Sequence, residues 1–407
     1  MRISYPNSKG GILKIVICQR PSSGSQYAKW VRELIPGCRL FLVSEKGSKA
    51  AEANEGYCDL VLVNRYYSDE FGKALSSIAC SGCDRIICNS EDDVERVAAV
   101  RSQYAVPGMK LPLSEGFRDK YSMKSLFSAA SLPSTDFALA GSGEDLGAFV
   151  EEHGPSVVKP RNGVGAFGVH IVETIDDVDR LLQDRGIREE IDGNMLLVEE
   201  YLPGDVYHAD VLLRDRIPVF TSVSRYIHKP CMFKEENYGS VMLDNASLKR
   251  LEIIDLVGRF AKGLPEDGGV HVLHFEFIDD ASGHARCGEV AARVGGGLIK
   301  QSIQSAYGFD ISEQFVRLEL GLPASVVPSV DDGKKTGWLV RTGGNRLRKP
   351  SDSDEWLLDL WDSGQSNNPT DAADYVGGAV VRGGNERERE RMLGLVENVA
   401  YERNDNE

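Results

Sequence analysis

A glycine loop set between two apolar runs constrains this chain most: SVVKP, then Gly163-Val164-Gly165-Ala166-Phe167-Gly168, then VHIVET. The loop matches G-x-G-x-x-G, a pattern that unrelated folds share, so its flanks decide its meaning. A dinucleotide fingerprint follows a strand and opens a helix, because the pyrophosphate rests on the helix N-terminus. Here the β-branched Val169, Ile171 and Val172 continue as a strand. The segment reads as a glycine-rich hairpin whose backbone N–H groups can approach phosphate closely, since no Cβ intervenes. A protein-kinase loop would need a lysine on the following strand, then H-R-D and D-F-G. The chain has none of these, and Lys159 precedes the loop instead. A plain turn joining two strands is the alternative without a ligand.

The rest of the chain fits an α/β protein that is α+β in part. Apolar runs at 12–18, 39–44, 58–64 and 84–89 alternate with helical stretches, the mark of an open parallel sheet covered on both faces. The loop after the first run, QRPSSGSQ, has one glycine, so a dinucleotide site there is not expected. A helix is expected over 117–132, ended by Pro133, and it carries Lys120 and Lys124 on one face. That pair reads as phosphate-facing cations or as a solvated basic face. VYHADVLLRDRIPVFTSVSRYI reads as two strands turning at Arg214–Arg216, and 248–264 as an amphipathic helix. The C-terminal GGNERERERMLGLVENVAYERNDNE alternates charges and reads as a solvated helix or tail. Three domains are expected, at 1–113, 114–204 and 205–407.

The net charge of −15 over 407 residues argues against generic binding to nucleic acid or to anionic membranes. No run of about 18 apolar residues is present. The N-terminal segment lacks a signal-peptide core, so a cytoplasmic location is expected. The eight cysteines include Cys80, Cys83 and Cys88, but no second pair at zinc spacing follows. Free thiols are expected.

The strongest chemistry lies in HFEF and GEVAARVGGG. Glu276 sits between Phe275 and Phe277, so its side chain takes the opposite face of the strand. Pairing with the next strand would bring Glu276 beside Glu289. Two adjacent carboxylates repel unless a cation bridges them, and Mg²⁺ suits carboxylate and phosphate oxygens together. Arg293 offers a bidentate fork, and Gly295-Gly296-Gly297 a close backbone approach. Two glutamates on a solvated face are the plain alternative.

In this order, FRDK(x3)K, VVKP(x2)G(x)G(x2)G, EEYLPG, HFEF and GEVAARVGGG resemble the ATP-grasp superfamily, and most closely its carboxylate–amine ligases, including the L-amino-acid (dipeptide) ligases. The resemblance implies an ATP-grasp fold: an N-terminal open parallel α/β domain, a central lid subdomain and a C-terminal antiparallel core. It implies that Lys120 and Lys159 hold ATP phosphates and that Gly163, Gly165, Ala166, Phe167 and Gly168 close over them. Glu199, Glu200, Tyr201 and Leu202 would line the adenine site, with Asp205 a candidate for the ribose. His208 and Asp210 would face the same cleft as nucleotide or substrate contacts. Glu276 and Glu289 would bind Mg²⁺, with Mn²⁺ able to substitute. Arg293 would bind the transferring phosphoryl group, and Gly296, Gly297, Tyr226 and His228 would contact substrate. The family often places a metal-binding Asn two residues after the second Glu; here that residue is Ala291.

The activity so implied joins a carboxylate, activated as acyl-phosphate, to an amine, releasing ADP and phosphate. The substrates would be an amino acid or modified amino acid and an L-amino acid, in a dipeptide antibiotic pathway. Homodimers are common in this superfamily. A carboxylase or purine-type ligase and a non-catalytic nucleotide-binding regulator are the alternatives. The missing E-x-N-x-R and biotin-acceptor Met-Lys segment weigh against the former. Retention of both glutamates and Arg293 weighs against the latter.

Overall fold

The computed structural model describes residues 12–163, 168–228, 236–266, 268–324, 330–342, 344–365 and 375–397. Strands β1 (Lys14–Cys18), β2 (Arg39–Glu45), β3 (Asp59–Val63) and β4 (Arg85–Cys88) form a parallel sheet in the order β3-β2-β1-β4. Val16 and Cys18 pack into one apolar cluster while Ile15 and Ile17 pack into another. Both faces are therefore covered, which is why these runs read as continuously apolar.

The expected helix over 117–132 begins later, at Lys120, and ends at Ala129. The Asp119 side chain caps it by accepting from Tyr121 N. Strands β5 (Phe137–Leu139), β6 (Ser156–Pro160), β7 (His170–Val172) and β8 (Leu196–Glu200) form an antiparallel sheet, order β5-β8-β6-β7. β6 and β7 are the two arms of the glycine hairpin. Val164, Gly165, Ala166 and Phe167, at its tip, lie outside the described residues.

The third sheet comprises β9 (Val206–Arg214), β10 (Ile217–Tyr226), β11 (Tyr238–Met242), β12 (Val272–Asp279), β13 (Ala285–Ala291), β14 (Thr336–Arg341), β15 (Leu357–Asp362) and β16 (Gly377–Arg382). Its order is β13-β12-β9-β10-β11-β14-β16-β15. The β9–β10 turn uses Asp215 and Arg216, both at positive φ (51° and 64°), the left-handed geometry that suits a two-residue hairpin. One face carries Ala209, Val211, Leu213, Phe275 and Phe277, packed with Ile253, Val257 and Phe260 of helix Leu248–Gly263. The other carries Leu212, Val272 and Trp338 in a second apolar cluster, with a polar group set among them.

Residues 398–407 of the charged C-terminal segment lie outside the described residues, and the part before them is not a solvated helix. Helix Glu386–Glu397 lays Met392, Leu393 and Val396 on Val241, Leu339, Ala379 and Val381. Fully buried Arg389 donates to the Gly383 and Met242 carbonyls and to Asp244. Alternating charges concealed a stripe at 389, 392, 393 and 396, the i, i+3, i+4, i+7 pattern of a helix buried on one side. Leu393→Ala is accordingly expected to cost about 2–5 kcal/mol in urea unfolding. A solvated helix would register within about 0.5 kcal/mol.

Candidate active site

The site lies where the three sheets meet. Glu276 and Glu289 are direct cross-strand partners on β12 and β13. From the β6 arm of the hairpin, Lys159 Nζ reaches Glu289 Oε1 at 3.0 Å and Glu199 Oε1 at 2.5 Å. Lys120 Nζ lies 3.7 Å from Glu289 Oε2 and donates to the Gly163 carbonyl at 2.7 Å. Burial would raise the Glu289 carboxyl, but the ammonium groups of Lys120 and Lys159 bring it down, to about 2. Burial would lower Lys159, and Glu199 and Glu289 outweigh it and raise it. Two lysines, three carboxylates and the foot of the glycine loop thus converge.

Lys124 does not join the phosphate-facing group. It is 1% exposed, pairs with Glu199 Oε2 at 2.9 Å and donates to Thr135 Oγ1 and the Gly288 carbonyl. Glu199 and Glu200 do not act together either, because adjacent strand residues face opposite ways. Glu199 is buried between two lysines, so its carboxylate is an anchor rather than a wall of an open adenine site. Burial would raise its carboxyl, and Lys124 and Lys159 hold it well below the usual range. Glu200 instead accepts from Asp136 N at 3.3 Å. Tyr201 N donates to the Pro155 carbonyl, and Leu202 continues toward the turn at Gly204. A Cβ at Gly204 would meet the Asp279 carbonyl oxygen at 2.4 Å, so this link admits only glycine. Asp205 lies 4.0 Å from Arg225 Nε.

Arg293 is held from the first sheet. Its Nε donates to Glu91 Oε2 at 2.7 Å, and Glu91 Oε1 accepts from Arg118 at 3.2 Å. Asn89 Oδ1 accepts from Val294 N at 2.9 Å. Burial would raise Glu91, but Arg293 and Arg118 lower it. Both Asn89 and Glu91 follow β4. Sequence reasoning missed them, although the available signal was the rule that ligands gather at the carboxyl ends of parallel strands.

Tyr226 donates from its hydroxyl to Glu276 Oε1 at 3.3 Å. His228 pairs with Glu236 at 3.0 Å, beside residues 229–235, which are outside the described set. His208 and Asp210 do share a face, but both are buried and bonded to each other, and Asp210 is bonded also to His274, which the sequence reading passed over. Burial would lower His274, and Asp210 raises it, to about 9. Of the three glycines, Gly297 has φ +58° and a Cβ there would strike the Trp338 ring at 2.5 Å, whereas at Gly296 it would meet nothing within 4 Å. Gly168 has φ +70°, with Pro160 Cγ 2.9 Å from its would-be Cβ.

Glu276 and Glu289, as cross-strand partners, are the residues here that could hold a hard divalent cation, and the residue two places after Glu289 is Ala291, whose side chain offers no ligand atom. Cys80, Cys83 and Cys88 are free thiols, and among the described residues no cysteine belongs to a metal-holding cluster. Burial pushes the Cys83 thiol up to about 11. No described helix is long and apolar enough to cross a membrane.

No family model matches the chain. The L-arginine-specific L-amino acid ligase of Bacillus subtilis is 25% identical over 276 residues, 67% of this chain and 66% of that protein. The match thus spans just under two thirds of that relative's length. Among solved structures, the L-amino acid ligase from Bacillus licheniformis superposes with a TM-score of 0.72 at 15% identity, covering 97% of this chain and 100% of that one. An ADP complex of N5-carboxyaminoimidazole ribonucleotide synthetase reaches 0.70 at 17% identity, covering 95% and 96%. The structural likenesses are of fold.

Proposed function

From a chain of the ATP-grasp fold, related in sequence to an L-amino acid ligase, we propose an ATP-dependent carboxylate–amine ligase. It joins an amino acid, or a modified one, to an L-amino acid. The observation that carries this reading is the convergence of Glu276, Glu289, Lys159 and Lys120, with Arg293 near enough to Glu276 for their charges to interact. Glu276 and Glu289 would hold Mg²⁺, which supplies charge neutralisation for ATP phosphates. Lys159 and Lys120 would exchange their carboxylate partner for phosphate oxygens. The glycine hairpin would cover the phosphates and exclude water, which otherwise hydrolyses the intermediate.

A substrate carboxylate oxygen attacks the γ-phosphorus; an O–P bond forms and the bond to the β-phosphate oxygen breaks, releasing ADP. The Arg293 fork holds the transferred group as its charge develops. The amine nitrogen of the second substrate then attacks the acyl carbon. A C–N bond forms, phosphate leaves with one former carboxylate oxygen, and the amine proton passes to solvent. The product is a dipeptide or close analogue, a class to which dipeptide antibiotics belong.

The test is ADP and phosphate release with Mg²⁺ATP and pairs of amino acids, with mass spectrometry of the products. Release restricted to particular pairs, with a product mass equal to the sum minus water, is expected. Release that needs bicarbonate instead would favour carboxylation, a reading kept alive by the comparable TM-score of 0.70 to the N5-carboxyaminoimidazole enzyme.

A further inference from the structure

β9 and β12 run antiparallel with His208 opposite Glu276 and Asp210 opposite His274. The four side chains form a square on the site face of the sheet, because residues two apart on a strand share a side. Asp210, 1% exposed, accepts through both oxygens: Oδ2 from His208 Nδ1 at 2.8 Å and Oδ1 from His274 Nδ1 at 2.9 Å. An ionised carboxylate only accepts, so both Nδ1 atoms carry hydrogens and both rings are fixed in orientation. His208 Nε2 pairs with Ser240 Oγ at 2.8 Å. His274 Nε2 turns toward Glu276 Oε1, 3.9 Å away, the oxygen that Tyr226 also addresses. The turn after Arg293 rests on the same group: a Cβ at Gly295 would lie 2.5 Å from Asp210 Oδ1 and 2.8 Å from His274 Nδ1.

We infer that Asp210 and His274 are positioning residues, which hold Glu276 and the Gly295 turn in place for the metal–nucleotide complex without touching substrate themselves. This rests on the ligase reading above and adds a second layer to its site. The three side chains His208, Asp210 and His274 are close enough to suggest a metal site of their own. Their atoms are already taken up by protein partners: both Nδ1 atoms by the two Asp210 oxygens, and His208 Nε2 by Ser240 Oγ, so the group is a hydrogen-bonded support rather than an open ligand set.

The test is Mn²⁺ affinity of the protein–ADP complex, read by electron paramagnetic resonance, beside ADP affinity without metal. Asp210→Asn sets an amide donor against one imidazole N–H and is expected to weaken Mn²⁺ binding about 10-fold or more, the usual effect of losing a support behind a metal ligand. ADP affinity without metal should stay within about twofold. His274→Asn keeps a donor for Asp210 but no longer reaches Glu276, so it should weaken Mn²⁺ equally; His274→Gln reaches toward Glu276 and should recover part of the loss. Should Asp210→Asn not fold, the two His274 variants decide alone. Unchanged Mn²⁺ affinity in the folded variants overturns the positioning role while leaving the ligase reading intact. A wild-type protein that binds no Mn²⁺–ADP overturns the ligase reading, and this inference with it.

Discussion

Arg293→Ala is expected to lower amino-acid-dependent ADP release about 10³-fold, while ATP still binds. A guanidinium aimed at a transferring phosphoryl group commonly contributes that much, because its charge is already placed when the transition state forms. The side chain is held before any ligand binds. Glu91 accepts from Arg293 Nε at 2.7 Å, and Arg293 Nη1 donates to the Val294 carbonyl. Arg293→Lys keeps the charge but not the fork, so it should recover little. Glu91→Gln leaves Arg293 present but loosely held, and should reduce turnover by less than Arg293→Ala does. Turnover in Arg293→Ala within threefold of wild type would remove the arginine from the chemistry.

Glu199→Gln is expected to cost about 3–5 kcal/mol in urea unfolding at pH 7, because it strands two buried lysines without their shared anion. Lys124 and Lys159 both depend on that carboxylate. The pH dependence has a definite sign. The folded Glu199 carboxyl titrates below its ordinary value. Its stabilising contribution is therefore complete above about pH 4.3, the unfolded value, and is lost as pH falls further toward the folded one. The deficit of Glu199→Gln should be largest at pH 7 and smaller at pH 3. A deficit below about 1 kcal/mol at pH 7, or one that does not shrink at pH 3, would contradict the anchor role.

The elements legible from sequence are those whose pattern is local. The run VHIVET after the glycines could only continue as a strand, and β7 is there. HFEF and GEVAAR predicted a carboxylate pair, and Glu276 stands opposite Glu289. What escaped depends on distant partners. Lys120 and Lys124 look alike on a helix, yet one meets Gly163 and Glu289 while the other is sealed against Glu199. Adjacent Glu199 and Glu200 read as one acidic feature until strand alternation separates them. Glu91 and His274 carried no spacing signal of their own; the role of Glu91 comes from the end of β4 meeting Arg293 beyond β13, and that of His274 from its neighbour Asp210 on β9. The charge alternation of 386–397 concealed its buried stripe, since Arg389 is among the buried residues.

The central claim is that ATP activates a carboxylate by phosphorylating it. The most direct measurement uses an amino acid labelled with ¹⁸O in its carboxylate and follows the label into inorganic phosphate by mass spectrometry. The account predicts one ¹⁸O in each phosphate released, in step with each amide formed, with ADP unlabelled. Label appearing in AMP, or remaining wholly with the carbon skeleton while phosphate is released, would contradict it.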